Sequence, residues 1–71
     1  MDIKILEDSG LTNTEAKVYL MLLKSGSSLA GKITQDTGIH RRSVYDALER
    51  LIEKGLVSFI KTNNRKYFQA E

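Results

Sequence analysis

Residues 38–54, GIHRRSVYDALERLIEK, decide how this chain is read. Val44, Ala47, Leu48, Leu51 and Ile52 recur at three- and four-residue steps, the spacing that gathers side chains on one face of an α-helix. A helix is expected from Arg41 to Lys54, ended by Gly55. Burying its apolar side turns Arg42, Tyr45, Asp46, Glu49 and Arg50 outward. Arg41, Arg42 and Ser43 occupy the first turn, where unpaired backbone N–H groups and the helix dipole attract anions. Cations at that end oppose the dipole at a cost of roughly 0.3 kcal/mol or more each, unless a partner such as phosphate compensates. Solvated surface arginines are the alternative reading.

Upstream, a helix is expected from Leu29 to Asp36 behind a Ser28 cap, burying Leu29, Ala30 and Ile33, weakened by Gly31 and stopped at Thr37 and Gly38. Before it, Thr12 and Glu15 form a capping box with Leu11 placed to staple onto Ala16. The helix they start covers 13–24, with Ala16, Tyr19, Leu20 and Leu23 as its apolar stripe, Val18 and Leu22 widening it, and Gly26 as its stop. Asp2 can cap a short first helix carrying Ile3, Ile5 and Leu6, closed by Ser9 and Gly10. Downstream, Leu56–Ile60 and Lys66–Ala70 are rich in β-branched and aromatic residues and flank the turn-forming Thr62-Asn63-Asn64-Arg65, which predicts a β-hairpin.

The expected fold is therefore mainly α with a small β-hairpin. Two helices joined by a short glycine-containing turn, the second one basic at its start, match a helix-turn-helix, and the hairpin supplies a wing. The whole chain, 1–71, reads as one winged helix-turn-helix domain.

Composition agrees. Hydrophobic residues are 41% and charged residues 28%, a globular balance. A chain of 71 residues buries only about 60% of its unfolded surface. With no cysteine, neither disulfides nor a thiolate zinc site can supplement that small core. No apolar run approaches the roughly 20 residues that a membrane-spanning helix needs, and residues 1–10 lack a signal-peptide pattern, so a cytoplasmic protein without a membrane partner is expected. Residues 1–38 carry four lysines against five acids, whereas residues 39–71 carry seven Lys and Arg against four acids. The asymmetry favours a polyanion on the C-terminal half.

These features make double-stranded DNA the expected partner, with residues 41–54 in the major groove. Arg42 and Arg50 are candidates for base edges. Tyr45 could stack on sugar or base edges or pack on the hairpin, and Asp46 lies on the same outward face. Lys61, Asn63, Asn64, Arg65 and Lys66 gather at the hairpin tip without an acid, suiting a wing on backbone or minor groove, or a merely soluble loop. Ser27, Ser28 and Lys32 lie where the first helix of such a motif crosses the DNA backbone, although capping explains Ser28 equally well. His40, the one histidine, is read as a helix cap or phosphate contact, since it cannot build a multi-histidine metal site. No P-loop or GxGxxG pattern is present, and the acids fit surface ion pairs, so no catalytic residue, metal or cofactor is expected. Apolar positions already committed to one core predict that the isolated domain is a monomer or weak dimer. The competing reading is a winged helix that docks a protein on the same helix face.

The strings LTNTEAKVYLMLL, TGIHRRSVYDALERLIEKGLV and KYFQA resemble the N-terminal DNA-binding domain of the TrmB-like archaeal transcription regulators, over nearly the whole chain. The capping box running into EAKVY, and VYDAL leading to KGLV, are the most specific parts. The resemblance implies a winged helix on promoter DNA, with groove reading by residues 41–50 and backbone contact by 61–66. His40 stands where a proline is common in that family. The chain ends at Glu71 where family members continue into dimerisation and sugar-sensing regions, so the resemblance implies no effector site here and leaves open an excised domain or a single-domain relative.

Overall fold

A computed structural model describes residues 2–71; Met1, part of the domain span read from the sequence, lies outside the described residues. Among the described residues the order is α1 (Ile3–Asp8), α2 (Asn13–Ser25), α3 (Ala30–Thr37), α4 (Arg41–Glu53), β1 (Val57–Thr62) and β2 (Arg65–Ala70). This is a winged helix-turn-helix. The helix α2 packs against α1, α3, α4 and β2 and so forms the spine of the domain.

Local chemistry sets each helix start. The Asp2 carboxylate accepts from Ile5 N–H at 3.0 Å. Thr12 closes the expected capping box, its hydroxyl accepting from Glu15 N–H at 3.1 Å while Glu15 Oε1 accepts from Thr12 N–H at 2.9 Å. Glu15 also reaches across the fold, because the same Oε1 accepts from Lys54 Nζ at 2.9 Å. Only 1% of its side chain is exposed, against 41% for Lys54. Burial works against the Glu15 charge, but the Lys54 ammonium, the Thr12 N–H and the nearby Arg50 outweigh it and hold the carboxyl below its ordinary range.

The core joins Ala16, Val18 and Leu22 of α2 to Ile33 of α3, to Val44, Ala47, Leu48 and Leu51 of α4, and to Val57 and Phe68 of the hairpin. The phase expected for α4 is the one observed. In α2 it is shifted: Met21 and Glu15 are buried, Leu20 is half-buried, and Leu23 is 44% exposed. Four neighbouring elements bury a broad face of α2 whose centre runs through Glu15, Val18 and Leu22, which puts Leu23 at the solvent edge. Ile5 of α1 is likewise exposed, while Leu6 is buried.

Two corrections concern the joints. Ser28 does not cap α3, which begins behind Leu29 with no side-chain cap. Instead Ser28 N–H donates to Phe68 O at 2.9 Å and Phe68 N–H donates back at 2.8 Å, an antiparallel bridge on the free edge of β2. The hairpin strands also run further toward the tip than expected, with Lys61, Thr62 and Arg65 inside the ladder. Asn63 and Asn64, both at positive φ (52° and 64°), form a two-residue turn of the I′ kind, whose twist matches that of the strands.

Candidate nucleic-acid interface

Between α3 and α4 the chain turns in three residues. Gly38 N–H donates to Thr34 O at 2.8 Å from a left-handed backbone (φ 73°), a conformation that glycine adopts without a Cβ clash. Thr37 secures the turn, its hydroxyl donating to Ile33 O at 2.6 Å and accepting from Ile39 N–H at 3.2 Å. His40 then caps α4: its Nδ1 accepts from Arg42 N–H at 3.3 Å, which requires Nδ1 unprotonated. His40 is itself exposed, so the cap leaves the ring open to solvent.

The outward side of α4 divides in two. Arg41 and Tyr45 face the hairpin and α3. There they line a groove of about 550 Å³ with Gly31, Lys32, Lys61, Asn64, Arg65 and Lys66. Five cations line that groove, Lys32, Arg41, Lys61, Arg65 and Lys66, and no carboxylate does. Lys32 is answered from outside by Asp36 at 3.2 Å. On the other side of α4, Ser43, Asp46 and Arg50 line a shallow cleft with Thr12 and Thr14. Asp46, Glu49 and Glu53 surround Arg50, so its surroundings are acidic where those of Arg41 are basic. Arg42 is exposed in the first turn, which contains no acid.

The hairpin register gives the wing an electrostatic character that composition alone does not. Lys61 and Lys66 stand directly opposite each other, both exposed, on the strand face shared with Phe59 and Phe68. Like charges in that relation destabilise a ladder. Part of the repulsion is relieved within the domain, because Lys66 Nζ lies 4.7 Å from the centroid of the Phe59 ring. Phe59 in turn rests on Phe68, with centroids 5.9 Å apart.

The expected contact residues thus fall into groups. The fold brings Lys32, Arg41, Tyr45, Lys61, Asn64, Arg65 and Lys66 to one groove; Ser43, Asp46 and Arg50 lie across the helix, and Asn63 sits at the turn. Ser28 is a correction: it is 3% exposed, its hydroxyl donates to Gly26 O at 3.0 Å, and its backbone is paired with Phe68, so it offers nothing to a ligand. Two contributors escaped sequence reasoning. Phe59 seats Lys66, for which alternation in β1 was the available signal, and Gly31 lies beneath Arg41, for which a glycine inside a helix was the only sign. Among the described residues no helix is long and apolar enough to cross a membrane, and no cluster of three or more His, Asp or Glu could hold a metal.

Comparison with known proteins bears on the family and the fold. The family described as sugar-specific transcriptional regulator TrmB matches residues 6–71. The chain is 40% identical over 62 residues to the HTH-type sugar sensing transcriptional regulator TrmBL1 of Pyrococcus furiosus, a match that covers 87% of this chain and 18% of that protein. Among solved structures, a mutant of ZitR from Lactococcus lactis superposes with a TM-score of 0.80 at 25% identity, over 90% of this chain and 45% of the other. A probable transcriptional regulator from Pseudomonas aeruginosa gives the same TM-score at 20% identity, over 87% and 49%, and shares the fold.

Proposed function

From the premise that the chain belongs to the TrmB family of transcriptional regulators, we propose that it binds double-stranded DNA sequence-specifically, with α4 in the major groove and the wing on backbone or minor groove. Membership in a family of regulators sets it apart from enzymes. The single observation that carries the reading is the cross-strand pair Lys61 and Lys66, set beside Arg41 and Arg65 in a groove without a carboxylate. Such an arrangement costs folding stability in isolation and is offset by a polyanion.

Within this reading, Arg42 and Arg50 read base edges from the outward face of α4 with Asp46 beside Arg50, and Tyr45 stacks on sugar or base edges next to the wing. Arg41, Lys32, Lys61, Asn63, Asn64, Arg65 and Lys66 hold the backbone, and Ser43 and His40 present the helix start to a phosphate. The domain acts as a monomer or weak dimer in a cytoplasmic regulator. Sugar sensing stands in the name of the Pyrococcus relative, of which this chain spans 18%, and the proposal is confined to DNA.

Protein docking is the second reading, favoured by a groove of about 420 Å³ between α4 and β1, where Tyr45, Leu48, Ile52, Phe59 and Phe68 lie beside Glu49 and Glu53. Selecting bound sequences from a random duplex pool separates the two. DNA reading predicts an enriched motif a few base pairs long, whereas recovery of unenriched sequence favours docking.

A further inference from the structure

We infer that Gly31 is a positioning residue for the DNA backbone contact: lacking a side chain, it holds open the space in which the Arg41 guanidinium lies against α3 and beside the wing. The inference rests on the DNA-binding reading and adds to it a residue that has no charge and touches no ligand.

Glycine is the least favourable helix residue after proline, and Gly31 is the second residue of α3, where that cost is reduced but alanine is still accommodated. Its backbone does not call for glycine, because its φ lies outside the positive range that Gly10, Gly26, Gly38 and Gly55 occupy. Space is the remaining reason. A Cβ at position 31 would stand 3.0 Å from Arg41 Nη2, tighter than ordinary contact, and beyond its chain neighbours and the local helix backbone would meet no other heavy atom within 4 Å. Everything that glycine accommodates is therefore one guanidinium. That guanidinium has no carboxylate holding it, since the ion pairs among the described residues are Lys32–Asp36 and Lys54–Glu15. It lines the groove opposite Lys61, Arg65 and Lys66. Three wing cations, Lys32 of α3 and Arg41 of α4 thus line one space open to a phosphate strand, and the seat on Gly31 fixes where the Arg41 guanidinium sits.

The consequence is that stability and binding separate at this position. Alanine fits the α3 backbone and presses on only the flexible end of Arg41, so Gly31→Ala leaves the melting temperature at or above wild type while it shifts the guanidinium from its seat. The test measures the affinity of the 71-residue chain for a mixed-sequence 20-base-pair duplex at several salt concentrations, alongside thermal melting, for wild type, Gly31→Ala, Arg41→Ala and the double variant. We expect Gly31→Ala to weaken binding about threefold and to reduce the salt slope by part of the roughly one unit that Arg41→Ala removes. In the Arg41→Ala background the same substitution changes neither quantity, an outcome that a general structural effect of Gly31 would not give.

The inference is overturned if Gly31→Ala binds like wild type while Arg41→Ala binds more weakly, or if Gly31→Ala loses as much affinity without Arg41 as with it. Loss of folding in Gly31→Ala overturns it too, as does wild-type affinity in Arg41→Ala; both leave DNA binding standing. Absence of duplex binding by the wild type at low salt overturns the DNA reading itself, and this inference with it.

Discussion

Glu15 shows how a single residue can be half legible. Its place three residues after Thr12 announces the capping box, and the box is present. Nothing local announces that the same carboxylate is buried and meets Lys54, 39 positions later, because that contact exists only once α4 lies on α2. The coupling has a pH signature. A carboxyl held below its ordinary range contributes stability that is fully present above the unfolded Glu value and is lost as pH falls through the folded one. Glu15→Gln keeps an oxygen for the Thr12 N–H but removes the charge, and Lys54 is exposed enough to return to water. The expected loss is about 1 to 2 kcal/mol near neutral pH, shrinking toward zero in acid. Urea unfolding of both proteins from neutral to acidic pH checks this, and a loss independent of pH would show that the ion pair contributes nothing.

At the scale of elements, periodicity located α2 and α4, caps and glycine stops located α1 and α3, composition and a turn cluster located the hairpin, and errors gathered at the joints. The α4 stripe was readable because Val44, Ala47, Leu48 and Leu51 pack one way onto one core. The α2 stripe was misplaced at Leu23 because a helix enclosed by four neighbours buries more than one line of residues, and only the assembled fold says which edge meets solvent. Ser28 was misread for a related reason: a serine before a helix suggests a cap, and its pairing with Phe68 is 40 residues away in sequence. The wing tip was recognised as a turn, while its length depended on Asn63 and Asn64 both accepting positive φ. Alanine tolerates that conformation poorly, so Asn64→Ala should cost about 1 kcal/mol and lower the melting temperature by about 4 to 8 °C. Glycine at the same position should leave it near or above wild type. Equal melting of the alanine and glycine variants would contradict the turn geometry.

For the molecule as a whole, charge asymmetry pointed to the half of the chain that carries four of the five groove cations, but the grouping of charges required the fold. Arg50 and Arg41, both on α4, have opposite surroundings, the former among Asp46, Glu49 and Glu53, the latter among wing cations. Sequence spacing put them on one helix without revealing that division. A helix α4 that reads sequence and a wing that holds backbone leave different traces. The most direct measurement is fluorescence anisotropy of a selected duplex and a scrambled one, at several salt concentrations, for wild type, Arg42→Ala and Lys66→Ala. Arg42→Ala should lose about 1 to 3 kcal/mol on the selected duplex and little on the scrambled one. Lys66→Ala should weaken both alike and reduce the salt slope by about one unit. Unchanged affinity and unchanged salt slope in both variants would contradict DNA binding through this face and leave protein docking as the account to pursue.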